Sequence, residues 1–109
     1  NHGKARTYAN KALQYNSKYG QPHILIAQIY ASHPNWSDDG LLNACTFYVC
    51  VDRLQRAKSV DPSVKREADR LIGKYSAYFP KKEDLFMRGY STGSSVTVGG
   101  WINETTRIR

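Results

Sequence analysis

Residues 23–62 read HILIAQIYASHPNWSDDGLLNACTFYVCVDRLQRAKSVDP. Apolar side chains recur at three- and four-residue steps on both sides of a polar middle: His23-x-x-Ile26-Ala27-x-x-Tyr30, then Cys50-x-x-x-Leu54-x-x-Ala57-x-x-x-x-Pro62. Each set falls on one face of a helix, so the stretch predicts two helices that bury those faces against each other across a turn. Pro22 suits the first turn of the leading helix, where its missing N–H costs nothing, and Pro34 ends it. Ser37 can cap the following helix, and Asp38 and Asp39 suit its positive N-terminal end. That helix is expected to run from 38 or 40 to 60, with Leu41, Leu42, Ala44, Cys45, Phe47, Tyr48, Val51, Leu54 and Ala57 as a stripe broad enough to touch neighbours on two sides.

The same periodicity continues outward. Ala5, Tyr8, Ala9, Ala12, Leu13 and Tyr15 predict an amphipathic helix over 2–18, ended by Gly20. Asp61-Pro62 offers a cap and a first-turn proline for another helix, with Val64, Ala68, Leu71, Ile72, Tyr75 and Tyr78 facing inward and a stop before Pro80. A short helix over 81–88 follows, with Glu83 and Asp84 at its start. Residues 89–94 are turn-rich, and 95–109 alternate with period two, which predicts a β-hairpin. Its turn is either Gly99-Gly100 or the Ile102-Asn103-Glu104 stretch. The second leaves strands of near-equal length, 96–101 and 105–109, and is the reading adopted. The expected fold is therefore mainly α, with antiparallel pairs drawn from about four helices plus a short one over 1–88, and a turn-rich segment with a C-terminal two-stranded β-hairpin over 89–109.

The signatures in 23–62 resemble one unit of the tetratricopeptide repeat (TPR) family, an antiparallel helix pair with an aromatic, a small residue and Tyr in its first helix and Ala, Leu, Ala and a closing Pro in its second. Ala5-x-x-x-Ala9-x-x-Ala12 resembles the second helix of a preceding unit, with Ser17 where the family has its proline, and Ala68-x-x-Leu71-Ile72-x-x-Tyr75 resembles the first helix of a following one, with Ile72 in place of the small residue. Between Tyr30 and Cys50 lie 50 − 30 = 20 positions where the family leaves about nine, so this unit carries an insertion of roughly eleven residues. The tail from Val98 to Arg107 is similar to that of bacterial envelope-associated TPR proteins of undefined activity.

The resemblance implies a scaffold whose groove, lined by the first helix of each unit, holds an extended peptide or a partner helix. Carried over by position, Gln21, Ile24 and Gln28 line it from one helix and Arg66, Asp69 and Gly73 from the next. Ile24 and Gln28 replace the Lys and Asn of a chaperone-type carboxylate clamp, which this chain is not expected to form. Trp101 is a further candidate contact on the hairpin. The resemblance also points to a cell-envelope or periplasmic setting, and to the C-terminal part of a longer array in which the hairpin serves as a cap.

Composition fits a single domain of 109 residues with a formal net charge of +7, from 16 Lys and Arg against 9 Asp and Glu. Residues 1–36 contain no acid, yet elsewhere the charges are mixed, as on an ordinary solvated surface. Basic charge with aromatics could serve nucleic acid, but most of the tyrosines sit at helical core spacing, which does not favour that reading. No apolar run approaches the roughly 18 residues of a membrane span, and the chain opens at Asn1 with no charged-then-apolar leader. A broad apolar face on the first helix leaves homodimer formation open.

Nothing in the sequence is arranged for catalysis or a cofactor. Gly73-Lys74 lacks the upstream glycine of a phosphate loop. Cys45 and Cys50, five residues apart on one helix, project about 140° from each other, too far round for a direct disulfide or for a zinc site with His33; they are expected as small core residues. The paired acids at 38–39 and 83–84 sit where helix starts want negative charge. Asn35-Trp36-Ser37 and Asn103-Glu104-Thr105 match the glycosylation sequon by chance composition of loops.

Overall fold

The computed structural model describes residues 1–109 as α1 (His2–Tyr15), α2 (Gln21–Ser32), α3 (Gly40–Ala44), α4 (Thr46–Val60), a 3₁₀ turn (Pro62–Val64), α5 (Lys65–Ser76), α6 (Lys82–Met87), β1 (Ser95–Val98) and β2 (Glu104–Arg107). The mainly helical fold with a C-terminal antiparallel hairpin is as the sequence implies. The particle measures 43 × 27 × 20 Å.

Capping explains the boundaries. Asn1 accepts from Gly3 and Lys4 to open α1, Asp39 accepts from Leu41 and Leu42 to open α3, and Asp61 accepts from Ser63 to open the 3₁₀ turn. Asp61 also accepts from the Gly20 amide at 2.9 Å, which ties the α1–α2 turn to the α4–α5 turn. Gly20 is required by that approach: a Cβ there would lie 2.7 Å from Val64 Cγ2 and 3.0 Å from the Ala57 carbonyl oxygen.

The helix expected over 38–60 is interrupted. At Cys45 the amide reaches the Leu42 carbonyl instead of continuing the α pattern, and Thr46 Oγ1 donates to the Pro34 carbonyl at 3.0 Å, so α3 and α4 meet at a bend. The bend lets the inserted segment fold back as a compact loop. Ser37 and Asn43 hold it through three mutual hydrogen bonds of 2.9–3.0 Å.

Helix α4 is central. Its Cys50, Leu54 and Ala57 are fully enclosed, as is Cys45 at the bend, and α2 and α5 pack on it side by side. Both cysteines are free and buried, and burial pushes their thiols up, to about 11 for Cys45 and about 12 for Cys50. Helix α1 packs on α2 but buries only Ala9 fully; Tyr8 and Tyr15, expected inward, are 69% and 94% exposed. Tyr78, also expected inward, is 56% exposed and stacks on Phe47 with ring centroids 5.1 Å apart.

The hairpin corrects the expected turn. One loop, 99–103, takes in Gly99-Gly100 and Ile102-Asn103, while Glu104 already opens β2: Gly100 and Asn103 take left-handed φ values of 60° and 49°, and the Asn103 amide donates to the Gly99 carbonyl at 3.3 Å. The strands are accordingly shorter than expected, paired from Ser95↔Arg107 to Val98↔Glu104, and Trp101 sits on the loop. Val96, Val98, Thr106 and Ile108 face the helices and are buried. The hairpin lies against α4 and reaches back to α1 and α2.

Candidate functional site

Five positions along α4, from Phe47 to Asp52, turn through about 500°, which leaves their side chains about 140° apart. Phe47 stacks on Tyr78, and further along Lys58 pairs with Asp69 of α5 at 2.6 Å. Asp52 instead accepts from Thr106 of β2 at 2.5 Å and pairs with Arg109. The hairpin thus lies along the Asp52 side of α4, and the side carrying Phe47 and Lys58 faces Tyr78 and α5.

The candidate groove residues on α2 and α5 meet different fates. Gln21 is exposed and donates to Glu67 across the α2–α5 junction at 3.3 Å, and Gln28 is half-buried two turns on. Ile24 cannot line a groove, because it is 1% exposed within the core. Arg66 and Gly73 are exposed at the outer pole of α5, with nothing within 4 Å of a Cβ built at Gly73. Asp69 is turned towards α4 and held by Lys58 and Lys65, whose hydrogen bonds lower its carboxyl pKa. Towards α2 the helix instead presents Glu67, with the exposed Arg70 one helical step beyond it on α5, and Leu25, 42% exposed, lies between Gln21 and Gln28 along α2. Sequence reasoning missed Glu67 because the motif was carried over position by position, whereas the burial of Ala68, Leu71 and Tyr75 orients α5 so that Asp69 meets Lys58 and Glu67 meets Gln21.

Behind α2 a polar network joins four elements. The Tyr30 hydroxyl donates to Glu104 Oε2 at 2.5 Å and accepts from Arg6 Nη1 at 3.2 Å. Arg53 Nη2 meets the same Glu104 oxygen at 3.2 Å, and its Nη1 donates to His23 Nδ1 at 3.2 Å. Burial, followed by the Arg53 and Arg56 charges, lowers the His23 pKa to about 4, so the ring is neutral at pH 7 with its proton on Nε2. Burial together with the Glu104 hydrogen bond raises the pKa of Tyr30. Trp101 is half-buried over this network, beneath the Arg6 guanidinium at 5.0 Å and against the rings of His2, Tyr30 and His33. It is an internal clamp and not the free hairpin contact the sequence suggested. One signal for the network was available: Arg53 stands between Val49 and Ala57 on the apolar stripe, where a charge needs a buried partner.

A second clasp joins the inserted loop to the hairpin. Trp36 lies over Gly99 and Gly100, and a Cβ at either would stand 3.0 or 3.2 Å from it. The Trp36 indole N–H is buried without an acceptor.

Two cavities flank these features. One of about 490 Å³ lies between α3 and α6, walled by Leu41, Phe79, Pro80 and Met87 and crossed at its rim by the Arg88–Asp39 ion pair. Another of about 420 Å³ lies between α1 and α4, lined by Asn10, Leu13, Ser17, His23, Arg53, Arg56 and Val60. No group of three or more His, Cys, Asp or Glu side chains is placed to hold a metal, and no helix is long and apolar enough to cross a membrane. Comparison with protein-family models, curated proteins and solved structures finds no match to this chain.

Proposed function

We propose that this chain is a non-catalytic, TPR-like interaction module that holds a protein or peptide partner along the α2/α5 flank. The observation that carries the reading is Leu25, an aliphatic side chain exposed between the amides of Gln21 and Gln28 along α2, one turn from the Gln21–Glu67 hydrogen bond that reaches α5. An apolar anchor ringed by polar groups is the usual anatomy of a peptide-binding groove. The bound segment would place an apolar side chain on Leu25 and satisfy the amides and Arg70 with its backbone and acidic groups.

The test is a comparison of partner recovery by the wild-type chain and by Leu25→Asp and Arg70→Glu variants. Both positions are exposed, so the fold should survive. Recovery should fall about five- to thirtyfold, as expected when a central contact of one to two kcal/mol is lost. Equal recovery by all three chains rejects the flank as the binding surface.

A structural cap in a longer helical array is a second reading, favoured by the exposed Tyr8 and Tyr15 on the outer face of α1. It requires that a further TPR-type helix joined ahead of His2 covers those rings and raises the melting temperature. A chain so extended that melts at the same temperature removes this reading.

A further inference from the structure

The cavity between α1 and α4 has an unusual lining: two arginines, a neutral histidine, an asparagine and a serine, with no carboxylate among them. Arg53 is already engaged, by Glu104 on one side and His23 on the other. Arg56, three residues along the same helix, has an exposed guanidinium with no ion-pair partner. Because His23 Nδ1 accepts from Arg53, its Nε2 carries a proton, and that N–H has no acceptor in the protein. Asn10 and Ser17 add neutral donors from the α1 side.

We infer that this cleft is a binding site for the oxyanion of a small ligand, a carboxylate or a phosphate monoester, held by Arg56 and His23 between α1 and α4. Three features specify the ligand. The lining has an excess of N–H and O–H donors and an uncompensated positive charge, the complement of an anion that only accepts. A volume of about 420 Å³ exceeds what a bare inorganic ion fills and lies in the range of small-molecule sites. Leu13 and Val60 supply apolar walls for a short aliphatic body attached to the charged group. The site is separate from the α2/α5 flank, so it stands whether or not that flank binds a partner.

The experiment follows the His23 ring resonances by NMR at pH 7 while inorganic phosphate or butyrate is added at constant ionic strength, with chloride as the reference anion. Saturable movement of the His23 signals is expected with at least one of the two, and the probe with the lower half-saturation identifies the source as phosphate or carboxylate. Arg56→Gln should weaken binding by about tenfold or more, the usual effect of losing a charge-assisted hydrogen bond. Lys82→Gln removes the same charge from α6 and should change it by less than about twofold. Movement that is linear in concentration, matched by chloride, or reduced equally by both variants overturns the proposal.

Discussion

Replacing Glu104 by alanine removes the group at which α2, α4 and β2 meet. Two contacts go: the 2.5 Å bond from Tyr30 and the 3.2 Å ion pair with Arg53, whose side chain is 16% exposed against 29% for Glu104 itself. A fully buried pair broken on one side costs about 3–5 kcal/mol and an exposed one under about 1. The intermediate exposure here places the ionic part near 2 kcal/mol, and the Tyr30 donor, left without its acceptor, adds about 1. The Tyr30 oxygen keeps its bond from Arg6, so no larger penalty arises there. With about 0.23 kcal/mol/K of unfolding entropy for a chain of this length, 3 kcal/mol corresponds to a fall in melting temperature of about 13 °C. Tyr30→Phe alone should cost about 1 kcal/mol, and the double variant should be less destabilised than the sum by a similar amount, because both changes remove the same bond. Thermal and urea unfolding of the four chains decides it. A fall under about 3 °C for Glu104→Ala, or strict additivity, would show that the network is a solvated surface cluster.

Three further outcomes follow from other parts of the structure. The His23 pKa lies near 4 folded and 6.5 unfolded, so between those values the unfolded chain takes up a proton that the native chain refuses; stability is full above pH 6.5 and falls towards pH 4 by about 2 kcal/mol once solvent near the ring is allowed for. Urea midpoints of the wild type should therefore decline more steeply over that window than those of His23→Gln, and parallel curves would refute the assignment. Gly20→Ala forces a methyl group into Val64 and the Ala57 carbonyl, and should cost about 2–4 kcal/mol in urea unfolding; a cost under 1 would mean that the two turns separate easily. Gly99→Ala should cost about 1–3 kcal/mol in the wild type and markedly less beside Trp36→Ala, a coupling that exists only if the indole lies over the hairpin loop.

Local elements were the most legible part of the chain. Pro22, Pro34 and Asp61-Pro62 mark their helix boundaries by backbone chemistry that acts within a few residues. Residues 23–30 and 50–57 likewise show their shared faces through spacing alone. What could not be read depends on contacts distant in sequence. Glu67 finds Gln21 only once α5 and α2 have both packed on α4, and the bend at Cys45 is set by Thr46 reaching Pro34. The role of Trp101 is set by Arg6, His2 and His33, more than sixty positions away. Tyr8 and Tyr15 look like core residues in sequence because periodicity records a repeating face without recording what lies opposite.

The position of the hairpin also bears on how the chain reaches this structure. Helices α1 to α5 pair with near neighbours and can assemble as they form, but Arg6 meets Ile102 across 96 positions and Tyr30 meets Glu104 across 74. Contacts of that separation close slowly, after the entropy of a long loop has been lost. Until β2 arrives, Arg53 and Tyr30 lack the Glu104 carboxylate, and Val98, Ile102 and Ile108 have nothing to cover them. The amides of β1 and β2 should therefore gain protection last in pulsed hydrogen exchange during refolding, later than those of α2 and α4; simultaneous protection of all four would mean that the hairpin belongs to the folding nucleus.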